Sequence, residues 1–137
     1  MAAYNKFNAF VGDLCNKVHN LGSDTLKVML SNTAPSASNA VKTDITEISA
    51  GHGYAAGGTA LTSVTDTDSS GTVTLAAASV VFTAAGGSIG PFQYAVLYNS
   101  TAASGNLIGW WDNGSAVTLN SGDTETISFP SNIFTLS

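Results

Sequence analysis

The amino-acid sequence predicts a mainly β protein: a β-sandwich or jelly-roll-like fold over residues 24–137, preceded by one amphipathic helix over 4–21, with 1–137 forming a single domain. Three observations predict it. After residue 24, apolar side chains recur at every second position in short runs; clusters of Gly, Asp, Asn, Ser and Pro separate those runs; and helical spacing occurs only before residue 22. A chain of 137 residues can bury a hydrophobic core without disulfides or metals.

Tyr4, Phe7, Val11, Leu14, Val18 and Leu21 stand three and four apart, which places them on one face of a helix that covers a sheet or docks on a partner. Gly22 follows the last of them, where a helix commonly ends in a left-handed residue. From Asp24 the period becomes two: Leu26, Val28 and Leu30 alternate with Lys27 and Met29, the pattern of a half-buried strand. Residues 31–58 are the least regular stretch, a long loop with Pro35 and a short helical turn expected at Asp44–Ile48. Further strands are expected around Val73 and Leu75, at 79–84, 93–99 and 106–112, around Ile127 and Phe129, and at 133–136. Turns are expected at 66–71 (DTDSSG), 84–91 (AAGGSIGP), 100–105 (STAASG) and 112–115 (DNGS).

Charge narrows the function. Only 9% of residues are charged, against roughly 25% in an ordinary soluble protein, while 17 serines and 16 threonines supply a hydroxyl-rich surface. Such a surface suits a molecule packed against copies of itself or other partners. The cations are Lys6, Lys17, Lys27 and Lys42; there is no arginine, and the net charge is −5. Direct nucleic-acid binding, which rests on Lys and Arg neutralising phosphates, is not expected. Membrane attachment is not expected either, because there is no apolar run of spanning length and no basic amphipathic helix. The opening MAAYNKFNAF is interrupted by Asn5, Lys6 and Asn8, unlike a secretory signal, so synthesis in the cytoplasm is the expectation.

The candidate sites are few. Residues 51–58, GHGYAAGG, carry a Gly-x-Gly-x-x-Ala spacing, but a dinucleotide fingerprint must open a helix, and here it leads into the β-branched TALTSVT. Gly51, Gly53, Gly57 and Gly58 are read instead as structural loop glycines that let the chain turn and approach neighbouring backbone, with His52 as a loop residue. Cys15 and His19 are four apart on the expected helix, yet a third and fourth metal ligand are absent, and a buried thiol is the expected state of Cys15. Asp66 and Asp68 lack the distal glutamate of a calcium loop and are read as turn residues. No nucleophile elbow is present. No catalytic residue, cofactor or metal is therefore expected. Trp110 and Trp111 are adjacent in a strand and must point to opposite faces, so one of them is the candidate interface anchor unless both faces are covered.

Four segments in order, DTLKVMLSNTAP (24–35), ITEISAGHGYAAGGTAL (45–61), VVFTAAGGSIGPFQYAVLYNST (80–101) and LIGWWDNGSAVTLNSGDTETISFP (107–130), resemble the small structural proteins of tailed bacteriophages, the group that includes capsid cement or decoration proteins. The resemblance implies a β-sandwich or jelly-roll subunit, present in many copies on a virion, with no catalytic residues. Its implied partners are the major capsid protein and further copies of itself, as a dimer or trimer. A protein with no arginine and a net negative charge would be repelled by packaged DNA, which favours the outer surface of the head. The alternative is a tail, collar or fibre component with a host-surface or carbohydrate-binding role, since sandwich folds serve that function too.

Overall fold

The computed structural model describes residues 3–137. In chain order the elements are β1 (Asn5–Lys6), α1 (Ala9–Cys15), β2 (Leu26–Ser31), a 3-10 turn (Lys42–Asp44), β3 (Thr59–Ala60), β4 (Thr65–Ser69), β5 (Thr72–Ala76), β6 (Val80–Thr83), β7 (Ile89–Asn99), β8 (Leu107–Leu119), β9 (Thr124–Ile127) and β10 (Phe134–Leu136). The protein is mainly β, with one α-helix and antiparallel sheets, as its periodicity predicts. Among the described residues no helix is long and apolar enough to cross a membrane.

The principal sheet has the order β1-β8-β7-β2-β3; a three-stranded sheet β10-β5-β4 and a two-stranded ribbon β6-β9 pack on one of its faces. Alternation explains this layering. Val28, Leu97 and Trp111 point to that face and meet Leu75, Phe82, Ile127 and Phe134 of the smaller sheets. The other face is not solvated. Met29, Val96, Tyr98 and Leu107 form a second, smaller core under Phe7 and Ile45, so β2 is covered on both faces rather than half-buried as its alternation suggests.

The helix is much shorter than the apolar spacing predicts. Residues Asn5 and Lys6 pair with Trp110 and Gly109 at the edge of β8, and only Ala9–Cys15 are α-helical. Tyr4 and Phe7 then fall on opposite sides of the sheet. Tyr4 lies over Gly109, where any side chain would collide with its ring, and Phe7 stacks on Trp110 with ring centroids 4.5 Å apart. Lys17 takes the left-handed conformation (φ 62°), its N–H bonding Leu14 O and that of Val18 bonding Asp13 O. This double cap ends the helix five positions before Gly22. Val11 consequently stays 48% exposed, whereas Phe10 is fully buried.

Two expected turns are strand instead. Asp66–Ser69 extend β4, and the reversal is confined to Ser70 and Gly71, both at positive φ, as a two-residue hairpin requires. DNGS lies inside β8: the pairing jumps from Phe92↔Val117 to Tyr94↔Asp112, and residues 113–116 form an outward bulge. Its turn chemistry is nevertheless local and real, because Asp112 Oδ1 accepts the Gly114 N–H at 2.7 Å. That bond and one from Gln93 hold the Asp112 carboxyl below its ordinary range, Gln93 contributing most. The short helical turn falls at 42–44 rather than 44–48, fixed by Asp44 Oδ2 accepting the N–H groups of Ala40 and Val41.

A buried polar network ties the N-terminal arm to the sheet. Asn99, fully buried, donates through Nδ2 to Asp24 Oδ2 at 2.6 Å and lies 3.0 Å from His19 Nδ1, while its Oδ1 accepts the N–H groups of Thr101 and Ala102. His19 Nε2 has no hydrogen-bond partner and faces Asp13 Oδ2 at 3.9 Å. Burial lowers the imidazole pKa below 6.5, opposed in part by the Asp13 and Asp24 carboxylates. The neutral ring is thus the folded form. Below pH 6.5 the unfolded chain takes up a proton that the folded chain refuses, so this contribution to stability is complete above pH 6.5 and declines as pH falls through the folded value. Chemical denaturation between pH 7.5 and 5 should show stability falling with acid. A His19→Gln protein should lose that slope, and an identical slope in the variant would assign it elsewhere.

Candidate functional site

An open groove of about 560 Å³ lies beside the end of β7. Its floor is Tyr98, with Gly57 and Gly105 on either side and Lys27 and Lys42 at the rim. Lys27 is set by β2, where it stands opposite Tyr98, and the Lys42 ammonium lies 5.5 Å from the centre of the Tyr98 ring. The two lysines are fifteen positions apart in sequence and come together because β2 pairs with β7 at Tyr98 and the 3-10 turn begins beside the same ring.

Glu47 organises the groove from behind. Its Oε1 accepts the Tyr54 hydroxyl at 2.7 Å and the Gly57 N–H at 2.5 Å, and its Oε2 lies 3.9 Å from Lys42 Nζ. Tyr54 OH also accepts the Leu30 N–H at 3.0 Å, and Tyr98 OH donates to Gly57 O at 2.6 Å. Burial raises the pKa of both phenols, reinforced by the Glu47 carboxylate, so both remain hydrogen-bond donors. Neither is poised as a base.

The glycine-rich stretch is the clamp that builds this wall. Gly51 and Tyr54 exchange backbone hydrogen bonds at 2.8 and 3.0 Å around a tight reversal at His52 and Gly53. His52 is exposed, its carbonyl accepting the Ala85 N–H at 2.9 Å. Gly53 passes against Thr83 O and Gly58 against Val28 O so closely that a Cβ at either position would overlap the carbonyl oxygen. Close approach is thus the role of those two glycines, while Gly57 supplies the N–H to Glu47 and the carbonyl to Tyr98. His52 meets no nucleophile or carboxylate in this arrangement.

The other candidate residues separate. Trp111 is buried in the main core against Tyr4 and Phe129, and Trp110 is half-buried under Phe7, so neither projects as an exposed anchor. The side chain that covers Trp110 comes from the N-terminal arm, whose extended entry the helical spacing concealed. Cys15 is exposed, not buried, and His19 is buried, because the helix stops between them. Among the described residues no group of three or more His, Cys, Asp or Glu is placed to hold a metal. Lys27, Lys42, Glu47 and Tyr98 carry no linear motif; the only hint was that cations are scarce, with four lysines in the chain. No protein-family model, curated protein or solved structure matches the chain.

Proposed function

We propose that the chain is a non-enzymatic structural protein of a bacteriophage virion: a capsid cement or decoration subunit that works as a homo-oligomer and binds the major capsid protein on the outer surface of the head. The observation that carries a docking role is the outward face of the β6–β9 ribbon. Val81 opposite Thr126, and Thr83 opposite Thr124, present four exposed β-branched side chains and no charge, with Val81 51% exposed. No ion has to be desolvated on such a face, and rigid β-branched side chains lose little entropy on contact. The polar groups of the interior and the groove wall support the same reading. His19, Asn99, Tyr54 and Glu47 are engaged in holding strands and loops together rather than aimed at a shared reacting atom. The alternative role in carbohydrate binding wants an exposed aromatic platform, and of the twelve Phe, Trp and Tyr residues nine are buried and three half-buried.

A subunit that binds only the assembled lattice loses its binding free energy when the lattice comes apart, and therefore stabilises it by linkage, by about 2.7 kcal/mol per site at a hundredfold excess over Kd. Heads lacking the protein should melt at higher temperature and release DNA later when it is added back. Val81→Asp should fold and melt like the parent but bind heads more weakly. Saturating occupancy with an unchanged head melting temperature would refute the cement role, and failure to bind heads at all would move the protein to the tail or neck.

A further inference from the structure

We infer that the groove between Lys27 and Lys42 is a self-association site, and that its occupant is the Asp66–Asp68 edge of a second copy of this chain. The inference rests on the homo-oligomer of the functional reading and names the contact that makes it. In a chain of four lysines and nine acids, cations are the limiting charge, and two of the four rim one groove. Among the described residues Glu47 is the one carboxylate within 4 Å of either ammonium, and its Oε1 is already taken by Tyr54 and Gly57. Around them the lining is Gly57, Ala102, Ser104 and Gly105, small residues that let a loop or strand edge come close.

The complementary charge is on the same chain. Asp66 and Asp68 lie in β4, an edge strand whose five residues are all exposed, and they stand opposite Leu75 and Val73, hence on one face and roughly 7 Å apart. Among the described residues the only ion pairs are His19–Asp13 and Lys42–Glu47, which leaves both carboxylates without a cation. Asp44, Asp112 and Asp123 are each fixed in a loop or bulge by the N–H groups they accept, and Glu125 stands alone in β9. Asp68 Oδ1 caps Gly71, and the Asp66 carboxylate, exposed and with no hydrogen-bond partner, lies against Gly22 on the Leu75 side of β4. Charges on this face of an edge strand also block ladder pairing with another strand, so the contact is through side chains. Because the groove lies on the Tyr98 face of the principal sheet and β4 belongs to the sheet packed on its opposite face, the contact joins unlike surfaces, head to tail.

Charge reversal tests this directly. Sedimentation would compare the parent, a groove variant (Lys27→Glu with Lys42→Glu), a hairpin variant (Asp66→Lys with Asp68→Lys) and their equimolar mixture, with thermal melts as the folding control. The parent should associate, less so at 1 M salt than at 0.15 M, where the screening length is roughly 8 Å. Each variant alone should be monomeric at concentrations where the parent is assembled, about tenfold weaker or more, and the mixture should reassemble because each now offers what the other lacks. If the groove variant fails to fold, Lys27→Glu alone against the hairpin variant gives the same comparison. Variants that associate like the parent, or a mixture that stays monomeric, overturn the groove contact while leaving the homo-oligomer standing. A parent that is monomeric at every concentration overturns both.

Discussion

Phe10→Ala is expected to destabilise the protein by about 3–5 kcal/mol, the range for emptying a fully buried phenylalanine site, and to lower Tm by roughly 10–20 °C for a domain of this size. Phe10 is the one fully buried side chain of the helix; its ring meets Phe134 edge-on at 5.5 Å and His19 at 5.3 Å. Removing it opens a cavity where the helix, the C-terminal strand and the buried imidazole meet, and the surrounding strands are too constrained by pairing to close it. Val11→Ala, at a position 48% exposed, should change stability by no more than about 0.5 kcal/mol. Equal effects at the two positions would mean that the arm packs by another face.

Gly58→Ala is expected to cost about 2–5 kcal/mol, the sum of a left-handed backbone penalty and an overpacked contact. Gly58 has φ +76°, and its missing side chain is the space into which Val28 O projects. Val28 cannot move aside readily, since it pairs with Thr59 on one side and Leu97 on the other. The displaced loop would also carry Gly57 away from Glu47 and Tyr98, so the groove should be altered together with the fold. Gly86→Ala is the control: φ is +73° but the space around it is open, so only the backbone penalty of about 1–2 kcal/mol applies. Denaturant melts of the two variants should differ clearly. A Gly58→Ala protein as stable as the Gly86→Ala protein would mean that the contact with β2 is not rigid.

The strands were the most legible part of this protein because their signal is local. A two-residue period reports which face of a strand is buried, and Leu26, Val28, Leu30, Phe82 and Ile127 are all buried as that period requires. Turn chemistry was legible too, but only as conformation. Gly71 and Gly114 both adopt positive φ, yet one reverses a hairpin and the other bulges a continuous strand, because pairing across the sheet decides whether the chain must turn back.

The N-terminal segment shows where spacing is ambiguous. Tyr4, Phe7 and Phe10 are three apart, as on a helix, but Tyr4 and Phe10 enter one core and Phe7 the other. The three-residue step matches both a helix face and a chain that crosses a sheet edge. Only the gap at Gly109 and the ring of Trp110 select the second. The same limit applied to Trp110 and Trp111, for which opposite faces could be deduced from adjacency but covering layers could not.

By itself, then, the sequence determined the mainly β class and a surface poor in charge. These are properties of residues and their nearest neighbours. The tertiary structure alone decided that both faces of the principal sheet are covered, that His19 is sealed beside Asn99, and that Lys27 and Lys42 meet at Tyr98. The physical reason is that these contacts join residues far apart in the chain, Lys27 with Lys42 at 15 positions, His19 with Asn99 at 80 and Phe7 with Trp110 at 103, and their energy exists only after the strands between them have paired.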